Sequence, residues 1–313
     1  MSVAVPGYIH DAFVYSTDEE MVTGAARFLQ EGIDADEAAV VICSERNAEI
    51  LSRALDGNGK VAMLAQPDVY HRVPDAIIAF QHLIERQLAS GAQRVRLVAE
   101  VDFGDSESTW SEWARFESVV NMALADYPLW NVCIYDTRTL PETVVATAER
   151  THPNLLTGGS RSPSARYVEP LEYLSQPRAW EPFPMQAGLP AIDLNELTDL
   201  AQLRHGLQQA LTTGRLTDDS IDDMVIAVSE IATNALMYGG PPVNVRLWAD
   251  AGRAICTVTD QGPGIDNPFA GYVPAHGSDL THGGMGLWMA RRLCDQVDLH
   301  KGPDGFTVRL MIG

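Results

Sequence analysis

Short apolar runs alternate with amphipathic helical patterns along the first half of the chain. The runs are apolar throughout, which is typical of strands that are buried on both faces of a sheet. Strands are predicted at 11–15, 38–43, 61–65, 95–101 and 131–135, and helices at 18–31, 45–56, 73–90, 109–126 and 141–150. This order predicts a three-layer α/β domain with a mainly parallel sheet.

Proline, glycine and serine become frequent after Arg150. Repeated prolines exclude a long regular element, because proline fixes φ and lacks the backbone donor. We therefore predict a first domain at 1–175, a linker at 176–188 and a second domain at 189–313.

In the second domain, two helical patterns precede paired strands. Helices are predicted at 193–213 and 218–238, strands at 243–250 and 253–260 joined by the turn Ala251 and Gly252, a loop at 261–283, a helix from 284, and strands at 297–302 and 305–312. Helices grouped ahead of an antiparallel sheet predict a two-layer α/β sandwich.

The chain is strongly acidic, with 42 Asp and Glu against 22 Lys and Arg and a net charge of −20 over 313 residues. Such a surface repels phosphate backbones and anionic lipid, so we expect neither direct nucleic-acid binding nor membrane binding. The four cysteines have no metal-type or paired spacing, and the N-terminus has no signal-peptide pattern. These features predict a cytoplasmic protein.

Glu230 and Asn234 lie four residues apart in the helix predicted at 218–238. This spacing places both side chains on one helix face. Taken alone, the pair is better explained as a solvated polar stripe.

Asp260 ends a predicted strand, and Gly262 and Gly264 follow in the next loop. The two glycines allow backbone to pass close to a ligand, and the carboxylate can accept a hydrogen bond from an exocyclic amine such as that of adenine. In isolation, the motif is better explained as a tight turn with a solvated aspartate.

Gly283, Gly284 and Gly286 open the helix predicted from 284. A glycine-rich loop that enters a helix N-terminus presents free N–H groups and the positive end of the dipole, which suits phosphate. Helix packing against the sheet is the alternative explanation.

Together and in this order, the three motifs resemble the nucleotide site of the GHKL ATPase superfamily, over essentially all of 189–313. The resemblance implies that ATP and Mg²⁺ bind here, that Asn234 is a Mg²⁺ ligand and that Glu230 is the catalytic base. The nucleotide-binding residues that it implies are Asn234, Asp260, Gly262, Gly264, Gly284, Met285, Gly286, Leu287 and Thr307.

Within that superfamily, the domain is most similar to the anti-sigma factor serine kinases. The likeness rests on its compact size, the helix "AVSEIATNALMYG" at 227–239 and the short lid at about 265–283. It implies binding of a sigma factor, phosphorylation of a serine or threonine on a STAS-type anti-sigma factor antagonist, and a homodimer.

The first domain resembles the MEDS sensory domain, through "HDAFVYSTDEEMV" at 10–22, the strand "VRLVAEVD" and the tail that begins at Tyr135. That family implies an input module for a small-molecule or protein signal. Polar residues at strand ends could line a pocket, although capping of strands and turns is the commoner role. These residues are His10, Tyr15, Asp102, Asp136 and His152.

Two alternatives remain open for the second domain. It could be an ATP-gated interaction module without turnover. It could also be a histidine-kinase-like sensor, for which His205 is the upstream phosphoacceptor candidate, although a glycine follows it.

His276 and His282 flank the lid and are interpreted as lid residues, since no further metal ligands accompany them.

Overall fold

The computed structural model describes residues 7–55, 59–157, 160–178, 180–250, 252–274 and 284–313. The chain divides into two compact units, Met1–Gln176 and Pro177–Gly313. Ala251 of the predicted turn and 275–283 of the predicted loop lie outside the described residues. Among the helices that are described, none has both the length and the apolar character needed to cross a bilayer.

The first unit is built on one mixed sheet in which parallel pairing dominates. Its strands are β1 (Ile9–Tyr15), β2 (Ala38–Cys43), β3 (Val61–Ala65), β4 (Val95–Ala99), β5 (Leu129–Asp136), β6 (Asn154–Thr157) and β7 (Ser160–Pro163). Their order in the sheet is β3-β2-β4-β5-β1-β6-β7, and only the pairing of β6 with β7 is antiparallel among the described strands. The predicted parallel sheet is confirmed.

Helices cover both faces of this sheet. They are α1 (Asp18–Met21), α2 (Arg27–Asp34), α3 (Glu45–Ala54), α4 (Val73–Ala89), α5 (Glu107–Ala123), α6 (Glu142–Thr151) and α7 (Pro170–Ser175), with a π-helical turn at Val22–Ala26 between α1 and α2. Phe13 and Tyr15 of β1 pack in the core with residues of α1 and α2, whereas His10 contacts Asn121 of α5. Because successive strand residues point to opposite faces, the two helix groups lie on opposite sides, as the predicted three layers require.

The second unit is a two-layer α/β sandwich. Its elements are β8 (Ile192–Asn195), α8 (Leu200–Leu211), α9 (Asp218–Tyr238), β9 (Asn244–Asp250), β10 (Arg253–Asp260), α10 (Gly284–Leu293), β11 (Gln296–Gly302) and β12 (Gly305–Ile312). The sheet runs β11-β12-β10-β9-β8, and each neighbouring pair is antiparallel.

One apolar core joins the helices of the second unit to one face of its sheet. Leu207 of α8, Ala227 of α9 and Ala290 of α10 are fully buried in a single cluster with Val245 and Leu310 of the sheet. The predicted sandwich is therefore confirmed.

The helix predicted at 193–213 was wrong in its first part. The chain forms strand β8 there, and α8 begins only at Leu200. Half-buried Ile192 and Leu194 alternate with exposed neighbours along β8. Asp199 starts the helix, since its Oδ1 accepts hydrogen bonds from the N–H groups of Ala201 at 2.7 Å and Gln202 at 3.1 Å.

Part of the predicted linker packs on the sheet face opposite the helices. The Arg309 guanidinium lies 4.2 Å from the centre of the Trp180 ring, and it donates to the Glu181 carbonyl at 2.7 Å and to Asp298 at 2.8 Å. The Trp248 indole N–H donates to the Gly188 carbonyl at 3.1 Å. These contacts hold the segment that leads into β8.

Removing the cap at Asp199 tests the observed start of α8. We expect Asp199→Ala to lower the free energy of unfolding by about 1 kcal/mol, because two first-turn N–H groups lose their acceptor. Urea denaturation gives the size, and amide exchange in α8 shows the location. Asp222→Ala, at an exposed position of α9, is the control and should change stability by less than about 0.5 kcal/mol. Equal effects of both changes would contradict the assigned cap.

Candidate functional site

The first turn of α10 lies directly against the polar pair of α9. A Cβ atom built on Gly286 would stand 2.7 Å from Nδ2 of Asn234 and 3.3 Å from Oε2 of Glu230. Only a residue without a side chain leaves room for both groups at that distance. Two motifs that are about fifty residues apart in sequence therefore meet at one point.

Asp260, at the end of β10, is packed against the end of α9 and is only 6% exposed. Its Oδ1 accepts hydrogen bonds from the N–H groups of Gly262 at 2.7 Å and Gly240 at 3.4 Å. A Cβ on Gly239 would lie 2.5 Å from the carboxyl carbon of Asp260. Gly239 and Gly240, which directly follow α9, thus shape the surroundings of this carboxylate.

A cavity of about 150 Å³ lies between α9, α10 and strands β10 and β12. Its walls are largely apolar, and Asp260 supplies the only carboxylate among the described residues that line it. The lining residues are Ile231, Asn234, Ala235, Tyr238, Gly239, Val258, Asp260, Gly264, Ile265, Ala270, Gly284, Leu287, Phe306 and Val308.

The two ends of the cavity differ in chemistry. Apolar walls around one buried carboxylate suit a flat heterocycle that carries an exocyclic amine, because the amine can donate to the carboxylate. Asn234 and Gly284 lie where α10 begins, and a helix N-terminus attracts anions. An amide oxygen is also a ligand that Mg²⁺ accepts. The arrangement therefore fits a purine nucleotide with its phosphates toward α10.

The loop after Asp260 is held from two sides. Gly264 has a φ of +88°, and a Cβ there would lie 2.7 Å from the Phe306 ring. The Lys301 ammonium on β11 donates a hydrogen bond to the Gly262 carbonyl. Sequence reasoning missed this role of Lys301, since no motif connects a lysine on a distant strand with the loop.

Thr307 does not reach the cavity, in contrast to the role that the resemblance implies. Its hydroxyl lies 2.9 Å from the Thr259 hydroxyl on the neighbouring strand. Phe306 and Val308, on either side of it, line the cavity instead. Because strand residues alternate between faces, Thr307 points to the opposite side of the sheet.

Four other predicted residues, Glu230, Gly262, Met285 and Gly286, stand beside the cavity and do not line it in the described part of the chain. Glu230 is half-buried against the Gly286 backbone, and Met285 is half-buried in the first turn of α10. Gly262 acts through the turn, where its N–H donates to Asp260. Gly283, His276 and His282 lie outside the described residues.

His205, the phosphoacceptor candidate of the histidine-kinase alternative, is exposed on α8. Its Nε2 lies 2.9 Å from the side-chain amide of Gln209, one turn further along the helix. The contact is local, so the structure gives His205 no connection to the cavity among the described residues.

In the first unit, the strand-end residues separate into different surroundings. The Arg138 guanidinium donates to Asp136 at 2.7 Å and to Asp18 at 2.8 Å, and it lowers the pKa of both carboxyl groups. The Tyr15 hydroxyl accepts a hydrogen bond from Asn47 at 3.2 Å, and burial raises the pKa of Tyr15. Asp102 is exposed and accepts from the Gly104 N–H.

His10 and His152 do come together, with ring centroids 3.9 Å apart. Glu117 and Cys133 lie beside them, and sequence reasoning singled out neither. Burial, followed by the neighbouring His152, lowers the pKa of His10. Burial alone would raise the pKa of Glu117, but the imidazoles of His10 and His152 beside it lower that pKa to about 2.

Family comparisons agree with the two observed units. Residues 9–153 match the sequence model of the MEDS family, described as the methanogen/methylotroph, DcmR sensory domain. Residues 194–312 match the model of the histidine kinase-like ATPase domain.

Part of the chain is also similar to curated bacterial proteins that are named serine-protein kinase RsbW. The protein of Bacillus velezensis is 34% identical over 105 residues, which is 30% of this chain and 65% of that protein. The Bacillus subtilis protein is 32% identical over a segment with the same coverage. The protein of Halalkalibacterium halodurans is 33% identical over 96 residues, or 26% of this chain and 57% of that protein.

The chain thus spans less than two thirds of the length of these relatives. The mainly parallel sheet of the first unit and the antiparallel sandwich with its cavity in the second agree with the two family matches. The protein is therefore a MEDS domain followed by a GHKL-type, histidine kinase-like ATPase domain.

Proposed function

We propose that the second unit is an ATP-dependent protein kinase of the anti-sigma factor type. In this proposal it binds a sigma factor and phosphorylates a serine or threonine of a STAS-type anti-sigma factor antagonist. The reaction takes place in the cytoplasm, and a signal that reaches the first unit controls it. The contact of Gly286 with Asn234 and Glu230 carries the proposal, because it joins an apolar, carboxylate-containing cavity to a polar pair at a helix N-terminus.

Each part of the site has a task in this function. Asp260 accepts the exocyclic amine of adenine, and the walls formed by Val258, Leu287 and Phe306 bury the ring. Asn234 supplies an amide oxygen to Mg²⁺, which neutralises charge on the transferred phosphoryl group. The N–H groups of the first α10 turn bind the phosphates.

Glu230 is the proposed base. A carboxylate one turn from the Mg²⁺ ligand can accept the proton of an attacking hydroxyl as the phosphoryl group is transferred. Its half-buried position against Gly286 leaves it beside the phosphate end of the cavity. Relatives that are named serine-protein kinases support a protein hydroxyl, and not water, as the acceptor.

The regulatory setting rests on the order of the two domains and on the relatives. A MEDS domain precedes the ATPase domain in the same chain, which supports an input module joined to an output module. None of the four cysteines forms a disulfide, and all are buried, which fits a reducing compartment. The strong negative charge favours protein partners over nucleic acid.

An ATP-gated interaction module without turnover is the second candidate. It is favoured by one observation, that Glu230 does not line the cavity in the described part of the chain. In that case ATP would select the bound partner through the loop after Gly264, and no phosphate would leave the nucleotide. Incubation with labelled ATP and a candidate antagonist separates the two functions, because only the kinase leaves label on a serine or threonine.

Replacing the proposed base should separate binding from transfer. We expect Glu230→Gln to keep ATP affinity within about twofold and to lower the rate of transfer by about 10²–10⁴-fold, since an amide cannot take the proton. The measurement is transfer of labelled phosphate to a purified STAS-type antagonist. Glu196→Gln, an exposed position of the same unit, is the control. Unchanged transfer in Glu230→Gln would exclude the assigned role.

Asp260 should determine the preference for adenine. We expect Asp260→Asn to weaken ATP binding by about 10–100-fold, because a charged acceptor is lost while the amide oxygen still accepts the Gly262 N–H. Calorimetric titration with ATP and GTP measures the change, which should be smaller for GTP. The exposed Asp304→Asn is the control. Equal losses for both nucleotides would show that Asp260 supports the turn and does not read the base.

Adding a methyl group at Gly286 should disturb the polar pair and leave the fold intact. The new Cβ would stand 2.7 Å from the end of the Asn234 side chain, which can turn away, so we expect Gly286→Ala to fold and to lose Mg²⁺-dependent ATP binding by at least about tenfold. Titration with ATP, with and without Mg²⁺, measures this effect.

Gly206→Ala in α8 is the matched control for Gly286→Ala. A Cβ there meets only Ile192 at 3.7 Å, so stability should rise by up to about 1 kcal/mol and ATP binding should stay unchanged. Normal Mg²⁺-dependent binding in Gly286→Ala would contradict the importance of the close approach.

A further inference from the structure

A buried cluster in the first unit combines two histidines, a glutamate and a cysteine. One ligand-type atom from each of His10, Glu117, Cys133 and His152 lies within 4.8 Å of all the others. The side chains of His10, Glu117 and His152 are at most 1% exposed, and Cys133 is 2% exposed. The four residues come from β1, α5, β5 and the end of α6, so the sheet and two helices meet here.

The distances within the cluster are those of a small coordination shell. His10 Nε2 lies 3.1 Å from Glu117 Oε2 and 3.3 Å from Cys133 Sγ. Glu117 Oε2 lies 3.4 Å from both Cys133 Sγ and His152 Nε2. Ligands around a tetrahedral zinc ion, at its usual bond lengths, stand about 3.3–3.6 Å apart. A metal ion therefore needs only small movements of these side chains.

Nδ1 of His10, the ring nitrogen that faces away from the cluster, donates a hydrogen bond. The Asn121 amide N–H group donates to the carbonyls of Glu117 and Thr151, at 3.0 and 2.9 Å, which fixes the orientation of that amide. The Asn121 oxygen then faces His10 Nδ1 at 3.1 Å and accepts its hydrogen. In the neutral ring, Nε2 consequently carries a lone pair that points into the cluster.

His152 has the same arrangement. Its Nδ1 lies 3.0 Å from the Ala148 carbonyl, which can only accept, so this nitrogen carries the hydrogen. Its Nε2 has no hydrogen-bond partner among the described residues, and neither has Glu117 Oε1. Outer-shell acceptors that fix the tautomer in this way are the usual companions of metal-binding histidines.

The cluster therefore aims two imidazole lone pairs at a buried carboxylate and a sulfur atom. A divalent cation would satisfy all of these electron-rich atoms at once. Two neutral imidazoles, one carboxylate and one thiolate carry a charge of −2 in total, which a divalent ion neutralises. The Asn131 amide donates to Cys133 Sγ at 3.3 Å, a contact that a metal-bound thiolate would keep.

We propose that His10, Glu117, Cys133 and His152 form a binding site for a divalent transition metal ion of the zinc type. Thiolate and imidazole ligands favour zinc and its neighbours over Mg²⁺ and Ca²⁺, which take oxygen ligands. Four protein ligands fill a tetrahedral shell, so the site is closed and is not a hydrolytic centre. Bound metal ties α5 and the end of α6 to β1 and β5.

The first experiment uses the full-length chain, stripped of metal with a chelator and titrated with Co²⁺. We expect one Co²⁺ per chain, with a thiolate-to-cobalt charge-transfer band and intense visible bands of a tetrahedral ion, all of which Zn²⁺ removes by displacement. Absence of uptake of either ion would overturn the proposal. Weak octahedral cobalt spectra without the charge-transfer band would overturn it as well.

The second experiment assigns the ligands. Cys133→Ser should abolish the charge-transfer band, and His152→Gln should weaken Co²⁺ binding by at least about tenfold. Cys43→Ser, which changes a buried cysteine of β2 outside the cluster, is the matched control and should keep the full spectrum. An unchanged spectrum in Cys133→Ser would place the metal elsewhere and contradict the proposal.

The third variant tests the outer contact and guards against loss of folding. Asn121→Ala keeps all four ligands, so it should retain the charge-transfer band and bind Co²⁺ about 10–100-fold more weakly.

Far-UV circular dichroism checks that each variant folds. If a variant does not fold, the Co²⁺ titration of the unmodified chain still decides the proposal. Affinity unchanged in Asn121→Ala would contradict the assigned tautomer of His10. None of these readouts depends on ATP.

Discussion

The candidate site of the second unit depends on the contact of α10 with α9 at Gly286. The Gly286 backbone approaches Asn234 and Glu230 so closely that a methyl group would collide with the amide. The cavity lies between these two helices and strands β10 and β12, and Asp260 lines it at the end of β10. If α10 stood further away, the N-terminal N–H groups of α10 and the amide of Asn234 could not act on the same phosphates, as we propose that they do.

Both units place carboxylates inside and compensate for the burial in different ways. Asp260 is satisfied by N–H groups of the glycines around it, which is possible because Gly239 and Gly262 allow backbone to reach the carboxylate. Glu117 instead faces two imidazole nitrogens and a sulfur atom, which are atoms of the kinds that bind metal ions. We propose that the first arrangement recognises a nucleotide base and that the second binds a metal ion.

Much of the fold followed from apolar patterns, and the exceptions have local causes. Five of the seven described strands of the first unit were predicted to within a few residues from their apolar runs. The sequence did not predict β6 and β7, which have four residues each, and β7 is polar and exposed. β8 was taken as part of a helix, since four residues are too few to reveal two-residue alternation beside a long helical pattern. Thr307 was assigned to the nucleotide by its place in a motif, yet strand alternation turns it to the other face.

By itself, the sequence determined the two-domain order, the class of each sheet and the three motifs of the candidate nucleotide site, because periodicity and glycine spacing are local properties. Only the tertiary structure decided which side chains share a cavity, and it brought together Gly239, Gly240 and Lys301 around the loop after β10. It alone joined Glu117 and Cys133 to His10 and His152. These residues are far apart along the chain, and no local pattern encodes a contact that depends on helices packing across a sheet.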